Sequence, residues 1–199
     1  PLIAAERDEG KRAAWRAQAA ALDPADLLFV DETGTHCALT RRSARAPRGA
    51  RAIGRVPRNH DPVLSLVAAL GPGGLSAAAM TLPGAVDTAA FLVFLAQELV
   101  PRLRPGQVVV LDNLSVHKGA RVRELIEGAG CRLVFLPPYS PDFTPVELAF
   151  SKVKAHLRAV AARTRDHLEA AIADALARVT PADAQGWFKH CGYSVAPGQ

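Results

Sequence analysis

The sequence predicts a mixed α/β fold, one sheet with helices on both faces. Two observations lead there. Short apolar runs at 27–30, 62–70 and 75–82 come before any clear helical period after the first 24 residues. From Asp87 onward, helical spacing alternates with the runs at 107–112 and 131–136. Strands first and alternation afterwards is the order of a mixed sheet packed between helices.

The elements follow in turn. Residues 1–22 are alanine-rich and mixed in charge, and read as a helix that Asp23-Pro24 breaks. LLFV (27–30) is a buried strand leading into Asp31. Pro47-Arg48-Gly49 reads as a turn between two strands within the arginine-rich stretch that follows. PVLSLVAAL (62–70) and LSAAAMTL (75–82) flank Gly71-Pro72-Gly73-Gly74 and make a hairpin. Asp87-Thr88 caps a helix carrying Phe91, Leu92, Leu95 and Leu99, which Pro101 ends. QVVVLD (107–112) has the unbroken aliphatic character of a central strand. A helix over 121–127 and the strand CRLVFL (131–136) come next, then the loop YSPDFTP. Two helices, about 146–162 and 166–179, lead to Pro181. A three-strand meander followed by a β-α-β unit is the order of a ribonuclease H-like fold. The expected division is an N-terminal linker helix over 1–24 and one domain over 25–199.

Composition excludes several classes. At 199 residues, 49% hydrophobic and 22% charged, the chain can bury one substantial core. No apolar run reaches the roughly 18 residues that span a bilayer, and no signal-peptide pattern opens the sequence. Cys37, Cys131 and Cys191 form neither a disulfide framework nor a zinc knuckle, so a reducing, cytoplasmic setting is expected. Between Cys37 and His60 stand Arg41, Arg42, Arg45, Arg48, Arg51, Arg55 and Arg58 with no acidic residue. Such a block is either a solvated loop or a phosphate-binding surface.

Three carboxylates sit where chemistry would want them. Asp31 closes one apolar run, Asp112 closes another, and Glu147 opens a helix. Ligands collect at strand ends in α/β sheets. Three carboxylates at one spot repel unless a cation binds between them, and hard oxygen ligands suit Mg²⁺ or Mn²⁺. Two such ions could activate a nucleophile and stabilise the leaving oxygen of a phosphodiester. Each acid also has a plain structural reading. Asp31 could form a turn, Asp112-Asn113 could cap a helix, and Thr144-Pro145-Val146-Glu147 matches a capping box. Asp142, in the proline-flanked loop, reads as a local turn former.

The set resolves the choice. VDETGT (30–35), VVLDNLSVHKG (109–119) and LPPYSPDFTPVELAFSKVK (136–154) resemble the bacterial insertion-sequence branch of the mariner superfamily of transposases. Between Asp112 and Glu147 lie 147 − 112 − 1 = 34 residues, the separation of that family's pattern. The resemblance implies that Asp31, Asp112 and Glu147 are catalytic and hold two Mg²⁺ or Mn²⁺ ions. It also implies double-stranded DNA as substrate, at transposon ends and target, insertion at TA dinucleotides, and action as a homodimer. A membrane or small-molecule partner is not expected. Thr144 stands where the family usually has Asn. The family's N-terminal helix-turn-helix domains are not seen, and the chain opens on Pro1, so a piece of a longer protein is expected.

Further residues have two readings each. Asn113 and His117 fit the family motif; His117 could approach the scissile phosphate or pack beside its own helix start. Lys118 could contact phosphate or face water. Val146, Phe150, Val153, Leu157 and Val160 make the core stripe of their helix, and Glu147, Ser151, Lys154 and Arg158 a separate one. Lys154 and Arg158, with Arg41, Arg42, Arg45, Arg48, Arg51 and Lys118, are the candidate DNA contacts. Trp15, Trp187, Phe188 and Tyr193 read as packing residues. Two rival functions stand beside DNA transposition: a nuclease for RNA–DNA hybrids or branched DNA, and an idle remnant that binds only DNA or a full-length partner.

Overall fold

The structure is a computed structural model that describes residues 4–59 and 62–193. Among these residues five strands form one sheet: β1 (Leu27–Thr35), β2 (Leu64–Gly71), β3 (Gly74–Pro83), β4 (Val108–Leu111) and β5 (Arg132–Phe135). Their order across the sheet is β3-β2-β1-β4-β5. β1, β2 and β3 pair antiparallel, whereas β4 runs parallel to both β1 and β5. The meander and the β-α-β unit are therefore both present.

Among the described residues six α-helices cover the sheet: α1 (Glu9–Ala20), α2 (Thr88–Phe94), α3 (Ala120–Gly128), α4 (Pro145–Val160), α5 (Arg165–Ala177) and α6 (Pro181–His190). Period two along each strand divides the apolar side chains between two cores. Leu27, Phe29, Val108, Val110 and Val134 face one side, with Phe150, Val153, Leu157, Ile172 and Phe188 of α4, α5 and α6. Val30, Val67, Val109, Leu111 and Leu133 face the other, with Phe91 and Phe94 of α2 and Val122 and Ile126 of α3. Helices occupy both faces, as the pattern predicts.

Local chemistry explains the boundaries. Asp87 caps α2 by accepting from the Ala90 amide at 2.8 Å. The helix does not stop at Leu99: a π turn (Leu95–Leu99) passes into a 3₁₀ turn (Val100–Arg102) that accommodates Pro101 in its first positions. The β2–β3 hairpin turns at Gly74, whose φ of +112° and approach to the Val179 carbonyl leave no room for a side chain. α6, for which the sequence predicts no element beyond Pro181, has a full capping box between Thr180 and Asp183 with Pro181 at its start.

Three expectations need correction. β1 does not end at Val30 but continues to Thr35, because Asp31–Thr35 pair with Leu64–Ala68 of β2. Residues 36–59 contain neither helix nor strand, so Pro47-Arg48-Gly49 does not join two strands. Polar arginines at almost every third position give that segment no apolar face to bury. Thr144 is the N-cap of α4 but makes no side-chain capping bond. Residues 1–3 of the predicted first helix, His60 of the arginine stretch, and 194–199 of the predicted domain lie outside the described residues.

Candidate active site

Register brings Asp31 and Asp112 together. Leu27, Leu28 and Phe29 pair with Val108, Val109 and Val110, and the same step carried two residues on sets Asp31 beside Asp112. Leu27 and Phe29 face the α4 side, as do Val108 and Val110. Period two therefore sends both carboxylates to that side. Glu147 lies in the first turn of α4, reached from β5 through the loop 136–144.

All three line one cleft of about 370 Å³, with Asn113, Leu114, Leu136–Pro138, Tyr139, Ser140, Pro141 and Thr144. Burial, with Glu147, Glu32 and Asp112 nearby, pushes the Asp31 carboxyl up to about 7, although the Glu32 amide donates to it at 2.8 Å. Among the described residues no three carboxylate, histidine or cysteine side chains stand close enough together to hold a metal ion without moving. Asp31 thus sits buried among three acidic neighbours, Glu147, Glu32 and Asp112.

His117 settles between its two readings. It is fully buried, so it does not face a phosphate. Its Nδ1–H donates to Asp112 Oδ1 at 2.6 Å, and Phe91 packs against its ring at 4.3 Å between centroids. Its Nε2 lies 3.4 Å from Glu32 Oε2, an ion-pair contact too loose for a good hydrogen bond. Burial opposes the charged imidazole, yet Asp112 and Glu32 outweigh it and raise the group to about 9. A cation at neutral pH thereby fixes one oxygen of Asp112, while the other stays free for the cleft. Asp112 also accepts from the Leu114 amide at 3.0 Å.

Asp142 is not a local turn former. It receives a two-pronged bond from Arg12 of α1, at 2.9 and 2.6 Å across 130 residues of sequence. The guanidinium holds the Asp142 carboxyl below the usual carboxylate range. Arg12 is itself buried and lies 4.2 Å above the Phe143 ring. Trp15 Nε1 donates to the Tyr193 hydroxyl at 3.2 Å, and that hydroxyl donates to the Phe143 carbonyl at 2.7 Å. The loop entering α4 is thus tied to both ends of the described chain. Trp15, Phe188 and Tyr193 are packing residues as expected, and Trp187 packs partly buried against the same core.

None of the eight candidate DNA contacts lines the cleft. Arg41, Arg42, Arg45, Arg48 and Arg51 lie in the exposed loop after β1, and Lys118 is exposed after β4. Lys154 and Arg158 are half-buried on α4, on the stripe that begins at Glu147. Glu32, Tyr139 and Arg12 were not singled out from the sequence. Glu32 had a signal, its place beside Asp31 in VDETGT. Arg12 had none beyond sharing a helix face with Trp15.

A mixed five-stranded sheet with one acidic residue inside β1, one just past the end of the parallel β4 beside it, and one at a helix start defines a ribonuclease H-like domain. Residues 26–169 match the DDE superfamily endonuclease family, and the chain belongs to it. Its fold is similar to that of the Mos1 strand transfer complex, at a TM-score of 0.71 and 16% identity over 96% of this chain and 61% of the other. The Mos1 mariner paired-end complex with Mg gives 0.71 and 14%, covering 98% and 64%. The catalytic domain of Mos1 mariner transposase gives 0.67 and 13%, covering 96% and 89%. The chain thus spans about three fifths of the length of the chains in the two complexes. No curated protein sequence matches it. Among the described residues no helix is long and apolar enough to cross a membrane.

Proposed function

We propose that this chain is the catalytic domain of a DNA transposase of the mariner superfamily, in its bacterial insertion-sequence branch, cleaving DNA at transposon ends and joining the freed 3′-hydroxyl to target DNA. The observation that carries this reading is the convergence of Asp31, Asp112 and Glu147 on one cleft in a chain of an endonuclease family. Asp31, Asp112 and Glu147 are its catalytic residues.

The donor set fits a divalent ion. It is all carboxylate, burial together with the acidic neighbours holds a proton on Asp31 up to about pH 7, and its charge calls for Mg²⁺ or Mn²⁺. The Mos1 complex solved with Mg supports the same choice. Two bound ions would supply activation of a water or 3′-hydroxyl nucleophile and stabilisation of the leaving 3′-oxygen. The chain's own groups prepare for this. Asp31 gives up its proton as the site charges, His117 holds Asp112 in one orientation, and α4 presents Glu147 from its first turn. Pro137, Pro138 and Pro141 stiffen the loop that sets where α4 begins.

Double-stranded DNA is the substrate, and Arg41, Arg42, Arg45, Arg48, Arg51, Lys118, Lys154 and Arg158 are its phosphate contacts. The paired-end Mos1 complex supports action as a homodimer. Residues 25–199 form the catalytic unit, the linker helix α1 is anchored to it through Arg12 and Trp15, and the bacterial cytoplasm is its compartment. The test compares duplex DNA with an RNA–DNA hybrid of the same sequence in Mn²⁺. The expected result is nicking and strand transfer on DNA, absent in Asp112→Ala. Faster cleavage of the hybrid would replace transposition with a hybrid nuclease.

A further inference from the structure

We propose that Tyr139 is a stacking platform for the nucleobase next to the scissile phosphate. The inference rests on the DNA-cleaving reading of the carboxylate cleft and adds a residue to it.

Tyr139 has a left-handed backbone, with φ at +54°, a conformation costly for a bulky residue. The residue nevertheless stays 56% exposed, so burial of the side chain does not repay that strain. Strain that the fold maintains without a packing return points to a ligand. The loop enforces it. Pro137 and Pro138 precede Tyr139, Ser140 donates to the Pro138 carbonyl at 3.1 Å, and Pro141 follows. Asp142, held by Arg12, fixes the far end. The backbone that carries the ring is therefore set in place before any ligand arrives.

Its location names the ligand. Tyr139 lines the same cleft as Asp31, Asp112 and Glu147, and so does Leu114, which is 47% exposed. They are the two exposed large apolar side chains of that cleft among the described residues. A nucleotide whose phosphate reaches the carboxylates carries its base into the remaining volume, where a flat ring can stack on it. Every base has a π face, so the contact positions the strand without reading sequence. A duplex would have to expose that base, which places the contact at a nick or a frayed end.

Two substitutions separate ring from backbone. Tyr139→Phe keeps the ring, whereas Tyr139→Asn removes it and tolerates the left-handed conformation. Both are made in Glu147→Gln protein, so that DNA is not cut. The probe is a nicked duplex with 2-aminopurine beside the nick, titrated in Mn²⁺ and followed by fluorescence. The Glu147→Gln parent and Tyr139→Phe should quench the probe and bind within about twofold of each other. Tyr139→Asn should lose the quenching and bind about 5- to 150-fold more weakly. Its salt dependence should be unchanged, since no phosphate contact is lost, and its melting temperature should stay within about 2 °C. Wild-type-like quenching and affinity in Tyr139→Asn would overturn the proposal while leaving the functional reading intact. Equal losses in Phe and Asn would overturn it in favour of the hydroxyl. Failure of the parent to bind the nicked duplex at all would overturn both readings.

Discussion

Removing either partner of the Arg12–Asp142 pair should destabilise the domain, but by unequal amounts. Arg12 is 1% exposed and Asp142 51%, so the two ends of the pair lose different things. In Arg12→Met the apolar stem is kept and the abandoned carboxylate can be hydrated. The cost is two charge-assisted bonds, discounted because one partner is wet, together with the stacking on Phe143. That amounts to about 2–3 kcal/mol. In Asp142→Ala the guanidinium stays buried over the Phe143 ring, cannot shed its proton, and is left with a 3.5 Å contact to Glu9 as its ion pair. Stranding a buried charge costs about 3–5 kcal/mol. For a domain of this size each kcal/mol lowers the melting temperature by roughly 2–4 °C. The double variant should lose well under the sum of the two single losses, because Arg12→Met removes the charge that Asp142→Ala strands. The sign with pH follows from the depressed Asp142 carboxyl. Its contribution is present above the ordinary carboxylate range and is lost as pH falls through the depressed value, so the gap between wild type and Arg12→Met should close in acid. Thermal unfolding of the four proteins, at neutral pH and in acid, measures all of this. Asp142→Ala as mild as Arg12→Met, or strict additivity, would show that no buried guanidinium is stranded.

Other outcomes follow from the cleft and the loop. Asp31 titrates near 7 in the fold against about 3.8 in an unfolded chain, so metal-free stability should fall as pH rises across that window. Asp31→Asn should therefore melt higher than wild type at pH 8 without metal and no higher at pH 4, as calorimetry would show; a lower melting point at pH 8 would contradict the crowding argument. Because Mn²⁺ must displace that proton, its affinity should weaken by up to tenfold per unit below about pH 7. Isothermal titration at several pH values checks this, and a flat profile would count against Asp31 as a ligand. Converting Arg41, Arg42 and Arg45 together to Ala should leave the melting temperature unchanged, since all three are exposed. It should flatten the dependence of duplex affinity on salt by up to about three phosphate contacts. An unchanged slope would return that loop to the solvated reading.

Much of this was legible in the sequence because it is carried by period and order. VVVL and LLFV declare strands buried on both faces, and the change from short runs to helical spacing declares the mixed sheet. The three acids could be named because their neighbours and spacing match a family pattern. What stayed hidden depends on contacts distant along the chain. Arg12 and Asp142 are 130 residues apart, and no local pattern distinguishes a paired aspartate in a proline-flanked loop from a turn former. Glu32 points to His117 only once β1 lies beside β4. The extension of β1 past Asp31 was equally hidden, since DETGT has a turn-like composition and becomes a strand only through pairing with β2. The left-handed backbone of Tyr139 is a property of a folded loop, not of the letters YSPD.

The most direct test of the central claim is cleavage of a pre-nicked duplex across a Mn²⁺ titration, by wild type and by Glu147→Gln at matched folded concentration. A working carboxylate site predicts activity that appears only with metal, rises steeply as ions bind, and is lost by at least about 100-fold in Glu147→Gln. Cleavage that persists without metal, or survives undiminished in Glu147→Gln, would contradict it.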